Sequence, residues 1–151
     1  MVKHSLYRCD IICQMTKNIG KRQQLDKWNL LKYKLDTSTR HTRYFREREV
    51  WWCAFGENIG VEINGKSQFF SRPALILKRL NGDAAVVIPL TTKTHKTGNW
   101  YVPIWLIDKE VTAVISQVRI VSAKRLYQKL GSISHDNFKK VKDAFRHFYC
   151  G

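Results

Sequence analysis

A chain of 151 residues, 44% of them hydrophobic, is long enough for one compact domain with its own core and too short for two domains of ordinary size. Its 27 Lys and Arg against 12 Asp and Glu give a formal charge of +15, more than solubility requires, which implies an anionic partner. No run approaches the roughly 18 apolar residues of a membrane span, and residues 1–15 hold no apolar stretch long enough for a secretory signal, so a cytoplasmic protein with no membrane role is expected.

Cys9, Cys13, Cys53 and Cys150 read as reduced thiols, because an aromatic-rich chain of this length with no export signal needs no disulfide staples. His4, Cys9 and Cys13 have a spacing that suits one helical face, but they do not complete a zinc set. No metal or other cofactor is expected.

In chain order, residues 1–46 form a basic arm. Residues 1–48 carry 12 Lys and Arg against 4 Asp and Glu, net +8. Within this arm Leu25, Trp28, Leu31 (or Lys32) and Leu35 recur near helical spacing and predict an amphipathic helix from about Arg22 to Asp36. Thr37 to Arg48 then reads as a basic linker.

From Glu49 the pattern changes to short runs rich in Val, Ile, Trp and Phe. These predict strands near 49–55, 73–80, 84–90, 100–107, 111–116 and 127–130. Asn81-Gly82 predicts a tight hairpin between the second and third of them, since both residues favour positive φ. Gly56 to Phe70, with three glycines, reads as a long loop. Ser134 as N-cap, Asp136 in the first turn, and Phe138, Val141, Phe145 and Phe148 at helical spacing predict a C-terminal helix packed on the strands.

Five short motifs follow one another in this second region: Glu49-Val-Trp-Trp, Gly60-Val-Glu62, Ser71-Arg72-Pro73 opening a strand, Ile88-Pro-Leu-Thr91-Thr92 closing the next, and Ser116-Gln-Val-Arg119. In type and order they resemble the MazF/PemK toxins over about residues 47–146. The resemblance implies a mainly β fold with helices, namely an SH3-like antiparallel barrel of the MazF/CcdB type with a C-terminal helix. Here the N-terminal helical arm of residues 1–46 is added, and 47–151 is the toxin domain. It further implies a homodimer, a cognate antitoxin, and metal-independent cleavage of single-stranded RNA by an internal 2′-hydroxyl. That attack leaves a 2′,3′-cyclic phosphate and a 5′-hydroxyl.

By motif, Arg72 and Thr91 are the catalytic pair, with Glu62 in support. The stretch between Glu62 and Arg72 is longer here than the common pattern. Lys66, Thr92, Lys93, His95, Lys96, Gln117 and Arg119 are the expected RNA contacts, with Phe69, Phe70 or Trp100 to stack on bases. Trp51, Trp52 and Trp105 are assigned to the core or the dimer interface.

The residue types alone carry less. Cleavage by the 2′-hydroxyl needs a proton acceptor, a proton donor for the leaving oxygen, and donors for the phosphorane charge. Arg72 supplies a bidentate phosphate donor, and Thr91 a hydroxyl at a strand end. Yet an Arg before Pro is commonly a solvated edge residue, Thr is by default a β-former, and alternation with Val61 and Ile63 turns Glu62 to solvent. His95 offers an imidazole for acid or base work, or only a loop contact. Two other readings stay open: a non-catalytic CcdB-like toxin acting on a protein such as gyrase, and an RNA-binding module.

Overall fold

The computed structural model describes the backbone of residues 3–39 and 44–151, with side chains from residue 19 onward in that range. The chain divides into two compact units, Met1–Thr37 and Ser38–Gly151. The first is a single helix, α1 (Lys3–Asp36). It begins well before the helix that the Leu/Trp spacing predicts, because residues 3–19 contain neither Pro nor Gly and nothing in them interrupts helical hydrogen bonding. Thr37 closes it, its backbone N–H and its hydroxyl both reaching the Tyr33 carbonyl, at 3.0 and 2.9 Å. Of the predicted apolar stripe, Trp28 is buried, Leu31 and Leu35 are half-buried and Leu25 is exposed. The side chains of His4, Cys9 and Cys13, and residues Arg40, His41 and Arg43, lie outside the described residues.

The second unit is an antiparallel sheet with one helix. Its elements are β1 (Glu49–Ala54), β2 (Ser71–Arg79), β3 (Ala84–Thr91), β4 (Tyr101–Leu106), β5 (Lys109–Val114), β6 (Arg119–Ser122), β7 (Leu126–Ser132) and α2 (His135–Cys150). The strand order is β4-β5-β3-β2-β1-β7, with β6 also on β3. One edge of β3 is thereby divided: its first half pairs with β6 and its end, Leu90 and Thr91, with β5. The architecture is the mainly β type that the motifs imply, but no hydrogen bonds join β4 to β7, so the sheet is not closed. Across that gap the β4–β5 turn lies against β7 at Gly131, where a Cβ would come within 3.1 Å of Ile107 Cδ1. A side chain at 131 would have to push the Ile107 side chain aside by a few tenths of an ångström, and the φ of 159° there also favours glycine.

Successive residues of the central strands face opposite ways and build two cores. Val50, Leu75 and Ile88 join one, with Ile104, Phe138 and Val141. Trp51, Ala74, Ile76 and Val87 join the other, with Phe45 and Phe55. As predicted, α2 starts after Ser134, whose hydroxyl accepts the Asn137 N–H at 3.2 Å. Burial of Phe138 and Val141 stabilises its docking by about 1.5–3 kcal/mol each.

Two local details differ from expectation. The β2–β3 hairpin forms, but neither Asn81 nor Gly82 has positive φ. Instead Asn81 Oδ1 accepts the N–H groups of Asp83 and Ala84 at 2.8 and 2.9 Å, so the side chain rather than a left-handed backbone makes the turn. The strand β6 was not predicted, because four residues with one buried side chain carry no readable alternation.

Candidate functional site

The start of β2 and the end of β3 lie together. Their register pairs Ala74 with Pro89. Continued past that last pair, the register points Arg72, two residues before Ala74, toward Thr91, two after Pro89, and both residues line the same cavities. Arg72 is half-buried, and its Nε donates to the Asn64 carbonyl. Burial lowers its pKa from the ordinary arginine value, and among the described residues no carboxylate pairs with it. A desolvated guanidinium in that position favours an arriving anion. Thr91 is also half-buried, and its hydroxyl accepts the Lys93 N–H at 3.3 Å.

Two cavities flank this pair, and Arg72, Thr91 and Lys66 line both. The larger, about 350 Å³, is lined by Trp52, Pro73, Leu90, Val111 and Tyr127, with the hydroxyl residues Ser67, Ser71 and Thr92 beside the shared Lys66 and Arg72. The smaller, about 180 Å³, adds Lys93 and Lys96, together with Gln117 and Tyr101. It thus has four cations and no carboxylate among its lining residues.

The loop between β1 and β2 forms one side of the smaller cavity through Val61, Ile63 and Lys66. It is an ordered loop because its polar groups are internally satisfied. Asn58 Nδ2 donates to the Ile63 carbonyl at 2.8 Å, Asn64 Oδ1 accepts the Asn58 N–H at 2.6 Å, and the Gly65 N–H reaches the Gly56 carbonyl at 2.8 Å. A Cβ on Gly65 would overlap the Phe70 carbonyl, so this crossing requires glycine.

Of the residues expected here, Lys66, Thr92, Lys93, Lys96 and Gln117 line the cavities beside Arg72 and Thr91. Three do not. Glu62 is exposed and caps its own turn, accepting the Ile59 N–H at 3.3 Å. His95 is exposed on the loop after β3. Arg119 lies against the Phe55 ring, 5.4 Å from its centroid, and donates to the Phe55 carbonyl at 3.4 Å.

The aromatic assignments change more. Phe70 is buried, whereas Trp100 rests on Tyr101 and Phe148 with 40% of its surface still exposed. Phe69 is exposed, its ring tilted against that of Tyr127 with centroids 6.3 Å apart. Trp51 is in the core, as expected, Trp105 is exposed on this single chain, and Trp52 faces the larger cavity. Trp52, Ser71, Tyr101 and Tyr127 were missed. For Trp52 a signal existed: of two adjacent tryptophans on one strand, period 2 sends one away from the core that holds the other.

The cysteines fit no redox site among the described residues. Cys53 and Cys150 are free, and burial pushes the Cys53 thiol up to about 12, against a smaller opposing influence of Arg125 and Arg119. Among the described residues no group of three His, Cys, Asp or Glu is placed to hold a metal ion.

The sequence profile of the PemK-like, MazF-like toxins of type II toxin–antitoxin systems matches residues 46–149. The chain belongs to this toxin family. The match takes in both cavities of this MazF/PemK member and leaves α1 outside. Among curated protein sequences there is no match.

Solved structures agree on the fold. The MazF crystal structure (form I) from Deinococcus radiodurans is 18% identical with a TM-score of 0.57, covering 72% of this chain and 100% of its own. An endoribonuclease in complex with its cognate antitoxin from a mycobacterial species is 17% identical with a TM-score of 0.54, covering 69% of this chain and 93% of its own. The Mycobacterium tuberculosis toxin MazF-mt6 is 15% identical with a TM-score of 0.51, covering 68% and 97%. Among the described residues of this MazF/PemK chain, no helix is long and apolar enough to cross a membrane.

Proposed function

We propose that this toxin is a sequence-specific endoribonuclease that cuts single-stranded RNA without a metal. The observation that carries the reading is the position of Arg72 and Thr91 on the wall shared by two cavities, one of them ringed by Lys66, Lys93 and Lys96. A phosphate entering there meets a fixed guanidinium, a hydroxyl and three ammonium groups in a partly desolvated setting, where preorganised donors have most effect. The 2′-oxygen attacks the adjacent phosphorus, the bond from phosphorus to the 5′-oxygen breaks, and a 2′,3′-cyclic phosphate and a 5′-hydroxyl remain. The 2′-hydroxyl proton leaves and the 5′-oxygen gains one. Arg72 neutralises the phosphorane charge, and Thr91 bonds a non-bridging oxygen or relays a proton. Glu62 and His95 remain candidates for the proton acceptor, each requiring its loop to move toward the cavity.

In this reading the toxin works in the cytoplasm as a homodimer, and a cognate antitoxin silences it by covering the groove. That a structural neighbour was solved in complex with its cognate antitoxin supports such a partner. The test is to incubate the purified protein with a long RNA in EDTA and map both new ends. Cuts at a short recurring sequence, with cyclic phosphate and 5′-hydroxyl ends, are expected. Intact RNA, or cleavage only when a divalent metal is restored, would overturn the reading.

A further inference from the structure

The larger cavity differs in chemistry from the cation-ringed one beside it. Beyond the shared Lys66, Arg72 and Thr91, its lining is two aromatic rings, a proline, two aliphatic side chains and the hydroxyl residues Ser67, Ser71 and Thr92. Two features of the sheet produce the aromatic part. Trp52 stands opposite Pro73 on β2 and Gln128 on β7, half-exposed on the face away from Trp51. On β7 the pairing slips between Trp52, opposite Gln128, and Cys53, opposite Leu126, so Tyr127 is the extra residue of a bulge. Bulges re-aim a side chain, and this one directs the Tyr127 ring to the cavity. Its hydroxyl then donates to Ser71 Oγ at 2.8 Å, which fixes the ring before any ligand arrives. Ser71 is the residue before Arg72, so the aromatic surface and the guanidinium are tied together at adjacent chain positions.

We infer that the larger cavity is a nucleobase pocket, which receives one unstacked base of single-stranded RNA against Trp52 and Tyr127 and so sets one position of the cut-site sequence. The inference rests on the ribonuclease reading above. Every base has a face that stacks on an aromatic ring, and the exposed Thr92 hydroxyl can donate to or accept from a base edge, while the buried Ser71 hydroxyl, which already accepts from Tyr127, keeps its own proton to donate. Charge complementarity favours this occupant over a peptide side chain. Arg72 and Lys66 border both cavities, so a base in the larger one has its own phosphate next to the cationic one.

The test sequences the cut ends from a random pool of single-stranded RNA treated with wild type and with Trp52→Leu. A base no longer held on the ring cannot present its edge to the pocket's hydroxyls, so preference at one position beside the cut should fall about 10-fold or more, the scale of a lost base–aromatic stack, with preferences elsewhere kept. Trp105→Leu, which removes an exposed tryptophan outside both cavities, should leave the profile as it was. Should Trp52→Leu fail to fold, Tyr127→Phe keeps the ring, frees it from Ser71, and should weaken the same single position. A variant that folds but keeps every preference, with only its overall rate changed, overturns the inference.

A second measurement separates this inference from the nuclease reading. Binding of the four ribonucleoside 5′-monophosphates is compared with that of ribose 5-phosphate. If no RNA is cut, yet one nucleotide binds about 10-fold tighter than the sugar phosphate and loses that margin in Trp52→Leu, the pocket stands and the nuclease reading falls. Equal binding of all five overturns the pocket whether or not RNA is cut.

Discussion

Gln117 ties down the loop that carries Ile63: its Oε1 accepts the Ile63 N–H at 3.0 Å while its Nε2 donates to the Val61 carbonyl at 3.3 Å. The side chain thus works as a two-point clamp on the β1–β2 loop as well as a wall of the smaller cavity. Two hydrogen bonds of about 1 kcal/mol each hold Ile63 and Lys66 beside Arg72. Gln117→Ala should therefore raise KM for a short RNA by roughly 10-fold, change kcat less, and speed protease cleavage within residues 56–70. An unchanged KM would show that the loop does not need this clamp.

Arg72→Ala and Thr91→Ala should each keep the wild-type melting temperature to within a few degrees and lose cleavage by about 100-fold or more, the scale of a removed transition-state donor. Arg72→Lys keeps the charge but not the planar fork, and should recover little. Single-turnover cleavage of one labelled RNA measures all three. Near-wild-type rates in either alanine variant would remove the pair from the chemistry.

The strands and α2 were legible because their signals are local. Val, Ile and Trp runs mark β1 to β5, and Ser134 with Phe138 and Val141 marks the helix start and its buried face. The sequence also indicates Arg72 and Thr91, since each belongs to a short motif at a strand end. The aromatic wall was not legible, for a physical reason. Tyr127 and Ser71 are 56 residues apart, and their contact depends on a bulge that one strand's composition cannot show. Trp52 and Trp51 look alike in sequence, and only the cross-strand pairing decides which faces the core. The same holds for Glu62, whose Gly-x-Glu motif is readable while its distance from the cavities depends on the fold of the β1–β2 loop.

Glu49 is the buried acid of the sheet. Burial pushes its pKa up, but hydrogen bonds from Lys129, Trp51 Nε1 and the Arg46 N–H outweigh this and hold it below the ordinary value of 4.5. A carboxyl held lower in the folded state is ionised there at a pH where the unfolded chain has taken up protons. Its stabilisation is therefore complete above about pH 4.5 and is lost as pH falls through the folded value. Glu49→Gln should destabilise by about 1–3 kcal/mol at pH 7, with a smaller difference from wild type as the pH falls below the carboxylate range. Urea melts of both proteins across that range check it. A difference independent of pH would mean that packing, not the charge, is what Glu49 contributes.

The helix α1 lies outside the family match, and residues 1–37 carry eight basic and three acidic side chains, net +5. Such a density along one helix suits phosphate contacts that add affinity without reading sequence. We propose that α1 is a separate RNA-holding arm appended to the toxin domain. Deleting residues 1–37 should then weaken RNA binding and flatten its salt dependence, by roughly 2–4 in the slope of log K against log salt if three to five contacts are lost, while the cut-site profile stays as it was. Anisotropy of a labelled RNA over a salt series measures the slope, and sequencing of the cut ends measures the profile. If α1 instead braces the fold through the stripe of Leu25, Trp28 and Leu35, the same deletion lowers the melting temperature by several degrees and leaves the slope alone. An unchanged slope with an unchanged melting temperature would remove both readings and assign the arm to a protein partner, for which the antitoxin is the first to try.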